Sequence, residues 1–238
     1  MYKIKIWGDI MDIKDYTKQL FDKKVTCPIC NNTFNVKSVK VNAPRITSKD
    51  SDLFIRYSGI NPYFYDVWIC NKCGYSALKS DFNKIKSFEK EFITNNITAK
   101  WTSKNFPEIY DVKIAIDRYK LALINATYLR RSNGTLAFIL LKIAWMYRLL
   151  EDNKNELNFL KQSLNCFLKA FSNERLPLYG LDRDSLTYLI GDLYRRTGDD
   201  DSALLWYSKT ITTVGASYKI KELARNGRDL IKEIQSAQ

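Results

Sequence analysis

The sequence predicts an α+β protein in which a small zinc-ribbon-like antiparallel β module is followed by an all-α, tetratricopeptide-like helical domain. Two observations lead to this fold class. The first 80 residues carry two CxxC pairs, at 27–30 and 70–73, among segments in which apolar and polar residues alternate. After residue 80 the apolar residues recur instead with the period of an α-helix. We therefore predict a β module with an N-terminal extension over residues 1–80 and a helical domain over residues 81–238.

Short strands are expected around the cysteine pairs. Residues 33–40 alternate between apolar and polar side chains, which is typical of a half-buried strand. Residues 53–57 and 65–69 are predicted to form two further strands, and the second of these leads into Cys70. Gly74 follows the second pair and permits the positive φ that turns backbone N–H groups toward thiolate sulfurs.

The cysteines Cys27, Cys30, Cys70 and Cys73 predict one metal site. A short antiparallel sheet would bring the two pairs together and place four thiolates at the corners of a tetrahedron, as in structural zinc sites. Such a site has no open position for a substrate or water, so its expected role is to stabilise the fold. Zinc is the preferred ion, and iron bound as in rubredoxin-like sites is the less favoured occupant.

A redox role for the first pair is the competing interpretation. Cys27-Pro28-Ile29-Cys30 resembles the dithiol of an oxidoreductase, whose first cysteine lies at a helix N-terminus. In this chain a strand-like segment follows the pair, and a second CxxC lies downstream. Metal binding is therefore favoured over redox chemistry.

Amphipathic helices separated by short polar turns are predicted beyond residue 80. One begins near Ser80 or Asp81, and six more cover residues 110–131, 135–151, 155–171, 184–197, 201–214 and 217–234. Ala203 and Tyr207 follow Gly191 by twelve and sixteen residues, which is the spacing of a tetratricopeptide helix pair with small residues at the helix contact. An ordinary antiparallel helical bundle is the alternative.

An aromatic segment in the β module is the best candidate for a partner surface. Tyr63, Phe64, Tyr65 and Trp68 are residue types that anchor protein interfaces. The alternative is that these rings pack in the core of the module. The basic residues that could extend the surface are Arg45 and Arg56.

Two sets of charged residues are explained without a ligand. Arg195 and Arg196 lie near a predicted helix C-terminus, where the helix dipole favours cations. Asp50, Asp52 and Asp66 could form a carboxylate group if the strands pair suitably, but turn capping or ion pairing is the commoner role of such residues.

Composition limits the function classes. The net charge is +12 and is spread along the chain, which indicates a basic solvated surface and leaves nucleic-acid binding as an alternative. The absence of histidine excludes His-dependent nucleophile pairs and histidine metal ligands. Because no signal-peptide-like or membrane-spanning apolar stretch is seen, a cytoplasmic protein without membrane contact is expected.

Several stretches together resemble the bacterial DUF2225 family of uncharacterised proteins. They are Val25-Thr26-Cys27-Pro28-Ile29-Cys30, Asp50-Ser51-Asp52, Tyr57, Gly59-Ile60-Asn61-Pro62, Tyr65-Asp66-Val67, Cys70-Asn71-Lys72-Cys73-Gly74-Tyr75-Ser76-Ala77, Ala144-Trp145-Met146-Tyr147-Arg148 and Leu193-Tyr194-Arg195-Arg196-Thr197-Gly198. Asn31 stands where the family pattern has glycine, and Ser76 where it has alanine. The resemblance covers roughly residues 23–235 and implies a zinc-ribbon-like module followed by tetratricopeptide-like helices, with no assigned activity.

Three function hypotheses follow from the sequence. The first is a non-catalytic zinc-binding scaffold whose helices bind a protein or peptide partner. The second is nucleic-acid binding by the cysteine module, which contains several basic residues. The third and least favoured is a thiol-based redox enzyme.

Overall fold

The computed structural model describes residues 3–6 and 9–236, with side chains from Tyr16 onward. The strands are β1 Lys3–Ile6, β2 Asp9–Asp12, β3 Leu20–Thr26, β4 Thr33–Val39, β5 Arg45–Lys49, β6 Ile55–Ser58, β7 Val67–Ile69 and β8 Ser76–Leu78. The α-helices are α1 Ile13–Lys18, α2 Ser87–Asn96, α3 Val112–Tyr128, α4 Asn133–Leu149, α5 Asn153–Asn173, α6 Arg183–Arg196, α7 Asp200–Thr212 and α8 Tyr218–Ser236. The α+β class is confirmed in the form of small β hairpins followed by a helical region.

The described strands form four separate two-stranded sheets, which corrects the expectation of one short sheet. β3 pairs with β4 in an antiparallel register that runs from Leu20 opposite Val39 to Thr26 opposite Thr33. β7 pairs with β8 in the same manner, and each of these two hairpins carries one cysteine pair at its turn. The cysteine pairs are thus presented by two hairpins and not by neighbouring strands of one sheet.

A tight turn shortens one of the predicted strands. β6 begins only at Ile55, because the chain turns back on itself over residues 50–54. The backbone N–H of Asp50 donates to the carbonyl of Phe54 at 2.8 Å, and Leu53 adopts a φ of 70°. A residue with positive φ cannot continue an extended strand. The strand predicted over residues 53–57 therefore began two residues too early.

The helices lie close to their predicted spans, and aspartate caps explain where several of them begin. Asp111 accepts a hydrogen bond from the third residue of α3, and the same cap occurs at α5, α6 and α7. Each cap satisfies one of the N–H groups that a helix leaves unpaired. α2 begins later than predicted, at Ser87, because Glu89 accepts a hydrogen bond from the N–H of Lys86 at 2.8 Å and closes the helix start there.

By packing, the chain divides into two units. The first contains Met1–Ser48, Ile55–Arg131 and Met146–Glu151, and the second contains Lys49–Phe54, Ser132–Trp145 and Asp152–Gln238. The second unit therefore includes Lys49–Phe54, a segment that lies in sequence between the two cysteine pairs. The predicted domain boundary after residue 80 stays a prediction, because a division by packing does not show which parts fold independently.

Aromatic and aliphatic side chains form the core of the first unit around the cysteines. Trp68, Tyr75, Phe82 and Ile93 are buried together with Cys27, Cys70 and Cys73. The Trp68 and Tyr75 rings contact Phe82, with ring centroids 5.6 and 5.0 Å apart. This core extends over the hairpins and α2, so the cysteine cluster has apolar support on its inner side.

One hydrophobic cluster of the second unit packs around Tyr207 of α7. The other buried residues of this cluster are Tyr188 of α6, Ala203 of α7, and Ala224 and Ile231 of α8. Gly191 of α6 allows a close approach, since a Cβ at that position would lie 3.0 Å from Tyr207 Cδ1. Gly227 of α8 faces the other end of the same ring. The Tyr207 side chain thus packs tightly against a glycine on each of the two neighbouring helices, and the approach is closest at Gly227.

Gly227→Ala is expected to destabilise the second unit by about 1–2 kcal/mol, because overpacking exceeds the gain in helix propensity. The added Cβ would lie 2.4 Å from Tyr207 Cζ and would push the ring away from its position. Chemical denaturation measures the change. Asn226→Ala, on the exposed side of α8, is the matched control and should be neutral or slightly stabilising. Equal stability of the Gly227→Ala and control variants would contradict the packing argument.

Candidate functional site

The two cysteine pairs lie in turns of the same geometry, which we name the first knuckle (residues 27–32) and the second knuckle (residues 70–75). The N–H of Asn31 donates to the carbonyl of Cys27 at 3.0 Å, and the N–H of Gly74 donates to the carbonyl of Cys70 at 2.8 Å. Asn31 and Gly74 both have positive φ, 56° and 76°. Asparagine adopts this conformation more readily than most residues with a side chain. The asparagine in place of glycine therefore preserves the turn.

The knuckles bring the four cysteine sulfurs together. All four Sγ atoms lie within 4.8 Å of one another. Cys27 Sγ lies 3.6 Å from Cys73 Sγ, and Cys30 Sγ lies 3.5 Å from Cys70 Sγ, so the close contacts cross between the knuckles. None of the four cysteines forms a disulfide. This group of sulfurs could hold one metal ion.

The thiol pKa values of Cys27, Cys70 and Cys73 are shifted in different directions. Hydrogen bonds from Cys27 and Cys73 lower the pKa of the Cys70 thiol. Hydrogen bonding to Cys70 raises the pKa of Cys27 to about 12, and hydrogen bonding to Cys27 and Cys70 raises the pKa of Cys73 well above its ordinary value. Because metal ligation requires thiolates, a bound ion would displace protons from Cys27 and Cys73.

The surroundings of the first pair do not match a redox dithiol. Cys27 directly follows β3, and β4 begins at Thr33, so the first pair lies in a hairpin turn. Low thiol pKa values in CxxC enzymes depend on a helix N-terminus at the first cysteine. The hairpin context favours metal ligation at this pair.

A segment outside the predicted β module supports the second knuckle. Trp101 Nε1 donates to the carbonyl of Asn71 at 2.8 Å, and Thr98 Oγ1 donates to the carbonyl of Cys73 at 2.9 Å. The Trp101 indole lies directly on Gly74, where a Cβ would be 2.5 Å from the ring. Glycine at this position is therefore required both by the turn and by the contact with the indole.

The predicted partner-surface residues occupy different environments. Phe64, Tyr65 and Trp68 are buried, with exposed fractions of 5, 3 and 6%. Tyr63 is half-buried, and its carbonyl accepts a hydrogen bond from the Tyr119 hydroxyl at 2.7 Å. Burial gives the first three rings the core role that the sequence left open. The residues that reach the surface are Tyr63, Arg45 and Arg56.

A second candidate site lies in the second unit. Its helices contact residues 50–54, which we name the clamped segment. Asp52 in this segment is fully buried, and its Oδ2 accepts a hydrogen bond from Trp145 Nε1 at 2.9 Å. Arg196 Nε lies 3.7 Å from the same oxygen. Phe54 is also fully buried and stacks on the Trp145 ring with centroids 5.2 Å apart. The clamped segment thus places one carboxylate and one aromatic ring among the helices.

Ser51 makes the remaining polar contacts of the clamped segment. Its carbonyl accepts a hydrogen bond from the Tyr188 hydroxyl at 2.7 Å. Its Oγ accepts hydrogen bonds from Arg195 Nη2 at 3.0 Å and from Arg196 Nη2 at 2.8 Å. Both guanidinium groups therefore converge on a single hydroxyl, and the segment is recognised through backbone and side chain together.

Asp192 of α6 holds the two arginines in place. This fully buried carboxylate lies 2.9 Å from Arg195 Nη2 and 2.9 Å from Arg196 Nε, and it also accepts a hydrogen bond from the Tyr207 hydroxyl at 2.9 Å. Burial lowers the pKa of Arg195, but attraction to Asp192 outweighs it and raises the pKa overall. Two carboxylates, Asp52 and Asp192, balance two guanidiniums, which makes burial of the charges tolerable.

This second site was not predicted from the sequence. The helix dipole was a sufficient explanation for Arg195 and Arg196, and turn capping or ion pairing was the expected role of Asp52. The contacts instead join residues more than 90 positions apart, such as Asp52 and Trp145. The available signal was Asp50-Ser51-Asp52 and Trp145 within the stretches that carry the family resemblance.

Comparisons with known proteins agree with that resemblance. The family DUF2225, described as "Uncharacterized protein conserved in bacteria", matches residues 20–231. An uncharacterized protein of Borreliella burgdorferi (strain ATCC 35210 / DSM 4680 / CIP 102532 / B31) is 25% identical over 190 residues, covering 71% of this chain and 64% of that protein. This chain therefore spans less than two thirds of that relative's length. No solved structure matches the chain.

None of the helices within residues 9–236 combines the length and the apolar content that are needed to cross a bilayer.

Proposed function

The chain belongs to DUF2225, a family of uncharacterised bacterial proteins, and from its two sites we propose a non-catalytic scaffold in which zinc holds the cysteine hairpins and the helices bind a peptide of a protein partner. The observation that carries the proposal is the clamped segment. A helical unit that binds a short turn of its own chain through a buried carboxylate, a hydroxyl and a ring has the chemistry of a peptide-binding surface.

The donor set supports zinc as the resident ion. Four thiolates are soft ligands that suit zinc, with iron as the other candidate. Zinc–sulfur bonds of about 2.3 Å place the sulfurs of a tetrahedron about 3.8 Å apart. The contacts of 3.5 and 3.6 Å between the knuckles need only a small expansion to reach that spacing. Elemental analysis of the purified protein distinguishes zinc from iron.

The helix contacts support a tetratricopeptide-like arrangement of α6 and α7. Gly191 and the fully buried Ala203 are the small residues of the spacing seen in the sequence, and Tyr207 fills the space beside Gly191. In repeats of this kind each helix pair packs only on its neighbours, which leaves an extended face for a peptide. Arg195 and Arg196 at the end of α6 would supply the polar contacts of that face.

The partner chemistry proposed from the clamped segment is a turn with serine and aspartate followed, two residues later, by an aromatic residue. The hydroxyl is needed for the two guanidiniums, and the carboxylate is needed for the Trp145 indole N–H and Arg196. The ring is needed for stacking on Trp145. A peptide that lacks one of these groups would leave a buried polar atom or an apolar gap.

The test supplies the clamped segment as a separate peptide. In the full chain with Asp52→Ala and Phe54→Ala, a labelled peptide of residues 48–56 is expected to bind with a dissociation constant of roughly 10–100 µM. Wild-type protein should bind it at least about tenfold more weakly, because the covalently attached segment acts at a high effective concentration. Fluorescence anisotropy measures both affinities.

A matched peptide in which Ser51 and Asp52 are exchanged keeps composition and charge and should not bind. Circular dichroism confirms that the variant chain is folded, and Phe54→Ala alone is the milder variant if the double change unfolds the helices. A folded variant that binds both peptides equally, or neither, would contradict the proposal.

A further inference from the structure

A cavity of about 200 Å³ opens in the first unit beside the second knuckle, between α2 and α3. We name it the Trp101 pocket. Its walls are mainly apolar and aromatic, and the residues that the argument uses are Ile97, Lys100, Trp101, Ile124 and Tyr128. Ile124 and Tyr128 are 47 and 40% exposed, which is high for large apolar side chains that flank a cavity. Apolar surface of this kind next to a concavity is typical of a binding site.

Of the described residues that line the Trp101 pocket, Lys100 is the charged one. Lys100 is exposed and takes part in none of the ion pairs between described residues. Among the residues that the structure describes, no carboxylate lines the pocket. The pocket therefore has apolar walls and a positive rim, and it complements a ligand with a ring and an anionic group.

We propose that the Trp101 pocket binds a small aromatic carboxylate, with the ring against the Trp101 indole and the carboxylate paired with Lys100. A cavity of about 150 Å³ in another protein holds benzene. The larger volume here suits two fused rings. Offset or edge-on contact with the indole favours an aromatic over an aliphatic ring. The Trp101 pocket is formed by residues of the first unit, and this proposal does not depend on the proposed scaffold function.

The position of Trp101 gives the ligand a second effect. The indole N–H of Trp101 donates to the carbonyl of Asn71, and the ring covers Gly74. A ligand seated on the other part of the ring would hold the indole against the second knuckle. Binding therefore changes the surroundings of the Gly74 amide and of the Trp101 indole N–H, and both groups report on it.

The test titrates the metal-loaded full chain with 2-naphthoate, followed by heteronuclear NMR and calorimetry. Saturable shifts are expected at the Gly74 amide and the Trp101 indole, with a dissociation constant of about 0.01–1 mM. 2-Naphthamide, which has the same rings without charge, should bind about fivefold more weakly. A larger weakening is expected for Lys100→Glu, because the charge reversal removes an attraction and adds a repulsion, each of them modest at an exposed site.

Matched variants separate the pocket from non-specific attraction to a basic protein. Lys90→Glu on α2 changes the net charge by the same amount as Lys100→Glu, but Lys90 does not line the pocket. The affinity of the Lys90→Glu variant for 2-naphthoate should therefore stay within about twofold of wild type. Ile124→Asp places a carboxylate in the pocket wall and should abolish binding. Equal losses in Lys90→Glu and Lys100→Glu, or no saturable shift at Gly74 and Trp101 up to about 5 mM ligand, would overturn the assignment.

Discussion

Cys70→Ser is expected to abolish the metal binding proposed for the four-cysteine site and to loosen both cysteine hairpins while most of the helical signal remains. Cys70 is fully buried, and its Sγ contacts that of Cys30 across the knuckles, so a serine oxygen leaves an incomplete ligand set. Metal binding to four-ligand sites of this size contributes about 10–16 kcal/mol. Hairpins of three to seven residues per strand have no comparable source of stability of their own. Elemental analysis measures the metal, and hydrogen exchange locates the loosening.

Cys166→Ser is the matched control for the loss of a thiol. Cys166 is a free cysteine in α5, outside the group of four sulfurs, and its replacement should leave the metal content at one ion per chain. Hydrogen exchange in β3, β4, β7 and β8 should rise in Cys70→Ser and stay unchanged in Cys166→Ser. Retention of one tightly bound ion per chain in Cys70→Ser would contradict the four-sulfur site.

The cysteine cluster was predictable because its determinants are local. Each knuckle is a turn of six residues whose cysteine spacing can be read from a short stretch of sequence, as can the positive φ at Gly74 but not that at Asn31. Two such stretches in one chain predict a four-cysteine site. The sequence did not predict the support that Trp101 gives to the second knuckle. A single tryptophan in a loop belongs to no periodic pattern from which its position could be predicted. Its contact with Gly74 depends on the tertiary path of the chain after α2.

The clamped segment was not predictable for a different physical reason. Residues 53–57 are mostly aliphatic and aromatic, and local strand propensity alone favours a strand there. Tertiary contacts override this local propensity. Phe54 stacks on Trp145 and is fully buried, and these contacts stabilise its position in the turn more than pairing in β6 would. Charge pairing adds to this outcome, since Arg196 Nε lies 3.7 Å from Asp52 Oδ2 although the two residues are far apart in the sequence.

Asp192→Ala is expected to lower the free energy of unfolding by about 3–5 kcal/mol, because it removes one partner of a buried charge network. The change leaves Arg195 and Arg196, whose side chains are 17 and 22% exposed, without their closest carboxylate. It also removes the acceptor of the hydroxyl of Tyr207, whose side chain is fully buried between α6 and α8. Urea denaturation followed by circular dichroism measures the loss, and the midpoint of thermal unfolding should fall by roughly 6–20 °C.

Two further variants serve as controls. Asp192→Asn tests the contribution of the charge at position 192, and Asp201→Ala measures the effect of removing an exposed aspartate. Asparagine keeps an acceptor for Tyr207 but not the charge, so its cost should be intermediate. Asp201 is exposed in the first turn of α7, and its replacement should change stability by no more than about 0.5 kcal/mol. The Asp192 network also orients both guanidiniums toward Ser51, so Asp192→Ala should release the clamped segment as well as destabilise the helices. A loss below about 1 kcal/mol, with residues 50–54 still protected from hydrogen exchange, would show that packing alone holds the segment and that the charges do not.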